Sequence, residues 1–334
     1  MAKLGKKVYM SDNPIVSVVV VTKNEEKHIF DCLESLVAQD FPKDKYELVV
    51  VDAASTDRTQ EIVRNYPAKL IVDGYGTLAH QRNVGIENST GDYIAFTDAD
   101  CIADTSWLKA LVAAIRSSPS DIVGVSGPNL VLDSDPLFSR IVGYMQETLL
   151  GSGASPQSYR MAKTKIDTIS APNCNAIYRR KVVAQERYDN NFGVGEDGEL
   201  NYRLRRKGYK FAFTPNAIVW HHRVNTFKKL VNKMFSYGKA MAKMTRKHKS
   251  VVRWYAFLPP LAIPALLLAY PLTQLFPWLT YAYVFACFTY LLWLIISTAQ
   301  VYQKCKSIKS LLTLVLLPTQ HFSYGFGFFS GLLH

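Results

Sequence analysis

The sequence predicts an α/β domain on a doubly wound parallel sheet, followed by an α-helical transmembrane region. Three observations lead there. Short β-branched runs alternate with segments of helical periodicity across residues 15–126. Two later stretches, 254–272 and 277–297, are apolar and free of charge. Charge is also divided along the chain. All 27 acidic residues precede position 201, whereas residues 201–334 contain 18 Lys and Arg and no Asp or Glu, within a net charge of +12.

Taken in order, residues 1–13 read as a polar leader with no apolar core of a signal peptide. Ile15 to Val21 is a strand buried on both faces, ending in the polar turn Thr22, Lys23, Asn24 and Glu25. Residues 27–39 put Ile29, Leu33, Leu36 and Val37 on one helical face, and Phe41-Pro42 stops them. A second strand, 46–51, ends in Asp52, and the turn Ala54-Ser55-Thr56-Asp57 caps a helix over 59–66. A strand at 70–72 and a helix at 78–88 follow. The strand 93–97 delivers Asp98 and Asp100, then come a helix at 107–117 and a strand at 122–126.

Periodicity weakens over 128–165, where Gly151 to Pro156 has the composition of a loop able to close over a site. A strand is expected within 166–179, and a helix opens at Lys181. Phe192 to Glu199 is a Gly-rich turn presenting Glu196 and Asp197, with a helix over 200–207. Two short strands, 211–213 and 217–220, lead to His221-His222-Arg223.

Residues 226–253 place Phe227, Leu230, Val231, Met234, Phe235, Met241 and Met244 toward one side and Lys228, Lys229, Lys233, Lys239 and Lys243 toward the other. That pattern predicts an amphipathic helix lying on a membrane. Three spans are expected, at 254–272, 277–297 and 311–333, with two spans and an interfacial third element as the alternative. Arg253 and the cluster Lys304, Lys306 and Lys309 place the N-terminal domain in the cytoplasm of a multi-pass cell-membrane protein. The domains expected are therefore 14–224, an interfacial region 225–253 and a membrane region 254–334.

Several classes are excluded. The basic residues crowd beside apolar segments and no reading helix, finger or RNP-like motif is present, which argues against nucleic acid. Five cysteines show no paired spacing, which argues against a zinc site or a disulfide framework. No Gly-x-Gly-x-x-Gly follows the first strand, so a dinucleotide-binding dehydrogenase is unlikely on this pattern.

The chemistry centres on Ile94 to Cys101, read Ile-Ala-Phe-Thr-Asp-Ala-Asp-Cys. Side chains at i and i+2 of a strand share a side, so Asp98 and Asp100 emerge together at a carboxyl end, where open α/β sheets bind ligands. Two close carboxylates suit a divalent ion, Mn²⁺ or Mg²⁺, that carries a diphosphate. The bland alternative is a solvated turn.

Val-Ser-Val-Val-Val-Val-Thr-Lys-Asn-Glu-Glu, Val-Val-Val-Asp-Ala-Ala-Ser-Thr-Asp-Arg-Thr, Gln-Arg-Asn-Val-Gly-Ile and Gly-Asp-Tyr-Ile-Ala-Phe-Thr-Asp-Ala-Asp occur in that order. Together they resemble the family 2 inverting glycosyltransferases of GT-A fold, a Rossmann-like nucleotide-diphospho-sugar transferase domain. Gly-Glu-Asp-Gly-Glu-Leu-Asn-Tyr-Arg-Leu and the later Tyr-Gly-x-Gly-Phe resemble the succinoglycan glucosyltransferase branch with C-terminal membrane helices.

The resemblance implies roles. Asp98 lies near the donor ribose and Asp100 binds the metal. Thr22, Asn24, Glu25 and Asp52 form the pocket for the base, and Arg82 meets ribose or diphosphate. Asp197 is the catalytic base, with Glu196 as its helper; the alternative is that these acids only favour a helix N-terminus. His221 or His222 completes the metal site, His221 being the first choice. Asp-Ala-Ala-Ser departs from the usual Asp-Asp-Gly-Ser or Asp-Gly-Ser turn, and no Gln-x-x-Arg-Trp motif of processive synthases is present.

The expected function is transfer of a single hexose from a nucleotide sugar, expected to be a UDP-hexose, to a lipid-linked (polyprenyl-diphosphate) saccharide for polysaccharide or glycoconjugate synthesis. Two alternatives stand beside it: a polyprenyl-phosphate hexose synthase, and an inactive membrane scaffold that binds a nucleotide sugar.

Overall fold

A computed structural model describes residues 15–152, 165–168, 171–248 and 254–333. The leader and positions 153–156 of the expected loop lie outside the described residues. The chain begins with β1 (Val16–Thr22), α1 (Ile29–Val37), β2 (Tyr46–Asp52), α2 (Thr59–Val63), β3 (Ala68–Val72), α3 (Leu78–Glu87) and β4 (Tyr93–Asp98). It continues with β5 (Cys101–Ala103), α4 (Trp107–Ser117), β6 (Ile122–Ser126), β7 (Asn129–Leu130), α5 (Leu137–Glu147) and α6 (Leu149–Ser152). Then come β8 (Lys165–Thr168), β9 (Asn175–Arg179), α7 (Arg180–Glu186), α8 (Glu196–Arg206), β10 (Lys210–Phe213) and β11 (Val219–His221). Four long helices follow: α9 (Phe227–His248), α10 (Leu258–Leu275), α11 (Leu279–Cys305) and α12 (Thr313–Leu333). They fall into two compact units, residues 1–130 with 159–221, and residues 131–158 with 222–334.

The first unit is built on an eight-stranded sheet in the order β3-β2-β1-β4-β9-β6-β10-β8. Strands β3, β2, β1 and β4 are parallel, as the alternation of elements predicts. Both faces are covered. Val16, Val18 and Val20 join one apolar cluster with α1 and α4. Val19 and Val21 join another with residues of α3, α7 and α8. This explains the unbroken β-branched run: with helices on both sides, neither face of the strand needs polar residues.

The sheet is mixed rather than wholly parallel. Strand β9 runs antiparallel between β4 and β6, and β8 is antiparallel to β10 at the edge. The segment expected as one strand over 166–179 is two strands. Alternation shows which segments are strands, while direction depends on which ends the connections join. The chain leaves β6 at Ser126 and re-enters at Ala176, its partner across the ladder, so β9 must run backwards. A second sheet, β5-β11-β7, lies beyond the end of β4. It pairs His221 with Cys101.

The second unit has its own core. Ile141, Val142 and Met145 of α5 pack with Leu230 and Met234 of α9, Leu294 and Val301 of α11, and Leu316 and Leu317 of α12. Helix α5 was not expected from periodicity. Leu137, Phe138, Ile141, Val142 and Met145 nevertheless share one helical face, and Gly143 sits against Val131, where a Cβ would collide with the valine side chain. Helix α9 has the expected amphipathic pattern, but Leu230, Met234, Gly238, Ala242 and Met244 are buried inside this unit. That part of its apolar side is already covered by protein. Among the described residues, α10 and α11 are long and apolar enough to cross a membrane. The third stretch is helical as α12 but is not one of them; Gln320 and Ser323 are buried along it.

Candidate active site

Three adjacent parallel strands bring their polar ends together. Thr22 is the register partner of Asp52, and Val21 of Asp98. Ala99 is buried in the core, which fixes the turn that carries Asp98 and Asp100 out of β4.

Asp98 meets a cation from α3. Arg82, only 2% exposed, donates from Nη2 to Asp98 Oδ1 at 3.0 Å and from Nε to Glu196 Oε1 at 3.0 Å. Its guanidinium carbon lies 5.6 Å from the Phe96 ring centroid. Its Nη1 is buried with no hydrogen-bond partner. Burial works against the guanidinium charge, but Asp98 and Glu196 outweigh it and hold Arg82 above its ordinary pKa. This one side chain ties residues far apart in sequence into one corner. The expectation that Arg82 meets the donor is modified accordingly: two of its nitrogens are occupied by carboxylates.

Glu196 and Asp197 open α8, where Gly195 is the N-cap with φ +76°, a left-handed conformation that suits glycine. The Gly-rich stretch thus ends at Gly195, and both acids belong to the first helical turn rather than to the turn before it. They face different surroundings. Glu196 is buried, at 4% exposure, on Arg82. Burial raises its pKa to about 7; Arg82 opposes the rise and Asp197 adds to it. Asp197 is only partly buried, and its Oδ1 accepts the Gly198 N–H at 2.6 Å. Glu199 is fully buried and paired with Arg203, a packing role.

Asp100 meets His221. The imidazole Nε2 lies 3.2 Å from Asp100 Oδ2, and ligand atoms of Asp100, Cys101 and His221 all fall within 4.8 Å of one another. His221 Nδ1 is buried without a hydrogen-bond partner. His222 turns elsewhere: its Nδ1 lies 2.5 Å from Asp135 Oδ1. Cys101 is the member of this group that sequence reasoning missed; its position next to Asp100 was the available signal. Burial, then Asp100 and Asp98, push its thiol well above the usual range. Beside that sulfur the group offers a carboxylate oxygen and an imidazole nitrogen. That set fits Mn²⁺, and Mg²⁺ through the oxygen.

The strand-end pocket is shaped by Asp52. Its carboxylate accepts the Ser55 N–H at 2.7 Å, the Ser55 hydroxyl at 2.6 Å and Gln60 Nε2 at 2.8 Å. Ala54 stands at the glycine of the Asp-Asp-Gly-Ser pattern and takes φ +52°. An L-residue is disfavoured there, and the Asp52–Ser55 bonds hold the turn in place. Asn24 also has positive φ, 55°; its side chain accepts the Thr56 N–H at 2.8 Å, and its own N–H donates to Ser55 Oγ at 2.8 Å. The Glu25 N–H donates to Thr59 Oγ1 at 2.8 Å. Thr22 Oγ1 is buried with no hydrogen-bond partner. Thr22, Asn24 and Asp52 are therefore brought together, with Asp52 and Asn24 engaged in building the turn. A cavity of about 480 Å³ opens elsewhere, on the α3 face of His80, Asn83 and Glu87, and includes none of the expected site residues.

A dolichyl N-acetyl-alpha-D-glucosaminyl phosphate 3-beta-D-2,3-diacetamido-2,3-dideoxy-beta-D-glucuronosyltransferase of Methanococcus voltae is 26% identical over 330 residues, covering 95% of this chain and 97% of its own. The succinoglycan biosynthesis protein ExoA of Rhizobium meliloti is 25% identical over 328 residues, covering 95% and 94%. In fold, the chain is similar to a mannosyltransferase of Pyrobaculum calidifontis solved with GDP-Man and Mn²⁺, at a TM-score of 0.62 and 20% identity over 90% of this chain and 87% of that one. The sequence profile of glycosyl transferase family 2 matches residues 17–186, half of the chain, and the protein therefore belongs to that family.

Proposed function

We propose that the chain is a membrane-anchored inverting glycosyltransferase that moves one hexose from a nucleotide sugar, UDP-linked, to a lipid-linked saccharide at the cytoplasmic face. The observation that carries this reading is the Arg82 bridge. By joining Asp98 to Glu196, it draws the first turn of α8, and with it Asp197, toward the strand ends that carry the Asp98–Asp100 turn.

In the proposed reaction, Asp197 takes the proton of an acceptor hydroxyl as that oxygen attacks the anomeric carbon. The bond from that carbon to the donor diphosphate breaks, and the nucleoside diphosphate leaves with the electron pair. One displacement inverts the anomeric centre. Arg82 and Glu196 act as positioning residues. A divalent ion held by Asp100 and His221 would neutralise charge on the leaving diphosphate. Thr22, Asn24, Glu25 and Asp52 form the wall that meets the nucleoside.

The acceptor class rests on the relatives. The Methanococcus protein is named for a dolichyl-linked N-acetylglucosaminyl phosphate, and the Rhizobium protein for succinoglycan synthesis. The two long apolar helices suit an enzyme held beside a lipid carrier. The test compares wild type with Asp197→Asn, using labelled UDP-hexoses and polyprenyl-linked saccharides. Loss of about 10²–10⁴-fold in turnover is expected for removal of a general base. Unchanged turnover would overturn the assignment.

A further inference from the structure

Helix α12 meets its neighbours at a series of stations. Gly325 sits against Pro259, Pro260 and Ile263, and the Phe328 ring lies 5.5 Å from that of Phe257. These neighbours lie just before α10 or in its first two turns. Gly327 abuts the Phe235 backbone, and Gly238 abuts the backbone of Tyr324 and Phe328. Gly331 sits against Lys239 and Ala242, and Arg246 donates to the Gly331 carbonyl at 3.0 Å. Its α10 contacts step back from Ile263, at Gly325, to Phe257, at Phe328, while Tyr324, Gly327, Phe328 and Gly331 lie along α9. A helix crossing a bilayer beside α10 would meet successively later residues of α10.

The glycines explain how close the pair is. At Gly238 and Gly327, a Cβ would run into the partner's backbone. From Phe235 to Arg246 the two helices therefore run side by side for about 16 Å, at 1.5 Å per residue. Along that length α9 exposes Lys239, Lys243 and Arg246. If α12 went through hydrocarbon, these charges would go with it, which is costly for Lys and Arg.

A second tie agrees. In the middle of α12, Gln320 Nε2 donates to the Gly151 carbonyl at 2.7 Å, and His321 Nε2 lies 2.9 Å from the Leu150 carbonyl. Those carbonyls belong to α6, which follows the helix carrying Arg140 and Glu147. The face of α12 away from these contacts exposes Val315, Phe322 and Phe326.

We propose that α9 and α12 form one slab lying in the plane of an anionic lipid surface, with α12 not crossing the bilayer. Lysines and arginines of α9 meet lipid phosphates, and Val315, Phe322 and Phe326 enter the acyl boundary. A sequence with no acidic residue after Glu199 is complementary to such a surface. Only α10 and α11 span, so the chain enters and leaves the bilayer on one face. The slab rests on the membrane part of the function proposed above.

The test uses sealed membrane vesicles and an impermeant maleimide, in a Cys174→Ser, Cys287→Ser background whose remaining cysteines, Cys32, Cys101 and Cys305, are buried. Single cysteines are placed at Tyr75, at Trp278 between the spans, and on a short hydrophilic tail added after His334. The expected pattern is labelling of Tyr75→Cys and the tail from one side, and of Trp278→Cys from the other. Tail labelling from the Trp278 side overturns the in-plane α12 alone. Labelling of all three from one side overturns the spans, and with them the anchoring reading. As an independent measurement, fluorophores at Val315→Cys and Phe326→Cys are quenched by nitroxide lipids in phosphatidylglycerol vesicles. Equal, shallow depths support the slab, and a difference approaching half the bilayer thickness overturns it.

Discussion

Asp98 and Asp100 are the same residue type, one position apart, and similarly accessible at 29% and 31% of their side chains. Their partners differ. Asp98 faces a buried arginine, which keeps its charge at any physiological pH. Asp100 faces a histidine, whose charge is conditional and whose nitrogen can bind a metal. Glu196 and Asp197 repeat the contrast, one buried on Arg82 and the other partly open. The site thus has an inner pair that shares one buried cation and an outer pair left for chemistry. A motif of two carboxylates does not by itself reveal which is which; the neighbouring cation does.

The most severe way to break this contrast is Arg82→Met. It would leave two carboxylates without their buried cation, and loss of one partner in such an arrangement costs about 3–5 kcal/mol. A large drop in melting temperature of the detergent-solubilised protein is expected, together with loss of transfer. An unchanged melting point would show that the inner pair does not depend on the arginine.

A smaller effect separates the outer pair. Mn²⁺ should raise the melting temperature of the wild type, since a ligand at a hundredfold excess over its Kd stabilises by about 2.7 kcal/mol. Asp100→Asn and His221→Ala should abolish that shift, and His222→Ala should keep it. Loss of the shift in His222→Ala would place the metal elsewhere.

The mildest test concerns Glu196. Its carboxyl pKa is raised on folding from 4.5 to about 7. The native state therefore holds the proton more tightly, and this stabilisation is complete below the unfolded value and lost as pH rises through about 7. Wild type should lose more stability between pH 4.5 and 7 than Glu196→Gln does, as read from melting temperature against pH. Parallel curves for the two proteins would remove Glu196 from the inner pair.

Much of the first unit was legible in the chain. Unbroken runs such as Val16–Val21 announce strands covered on both faces, and the helix at 107–117 and the strand at 122–126 begin and end where periodicity places them. Asp98, Asp100 and Glu196 were legible as candidates because each lies at an element boundary. What joins them was less so. The Arg82–Glu196 contact spans 114 positions, and nothing local distinguishes this arginine from a surface one. Strand β9 kept its place but not its direction, since direction comes from where a long irregular connection returns. Helix α5 was missed although Leu137, Phe138, Ile141, Val142 and Met145 are spaced as one helical face. Hydropathy located α12 correctly as a segment, yet its length could not say whether it crosses or lies flat.

The left-handed Gly195 has one more consequence. Successive residues on a helix are turned by about 100° from one another. Gly195 fixes where that rotation starts, so Glu196 comes to face the arginine and Asp197 the opening. One amino acid gained or lost between Phe192 and Gly195 would shift the helix start by about 100° and move both acids off these orientations. This short segment should therefore tolerate replacement of individual side chains, such as the exposed Gly193, far better than any change in its length.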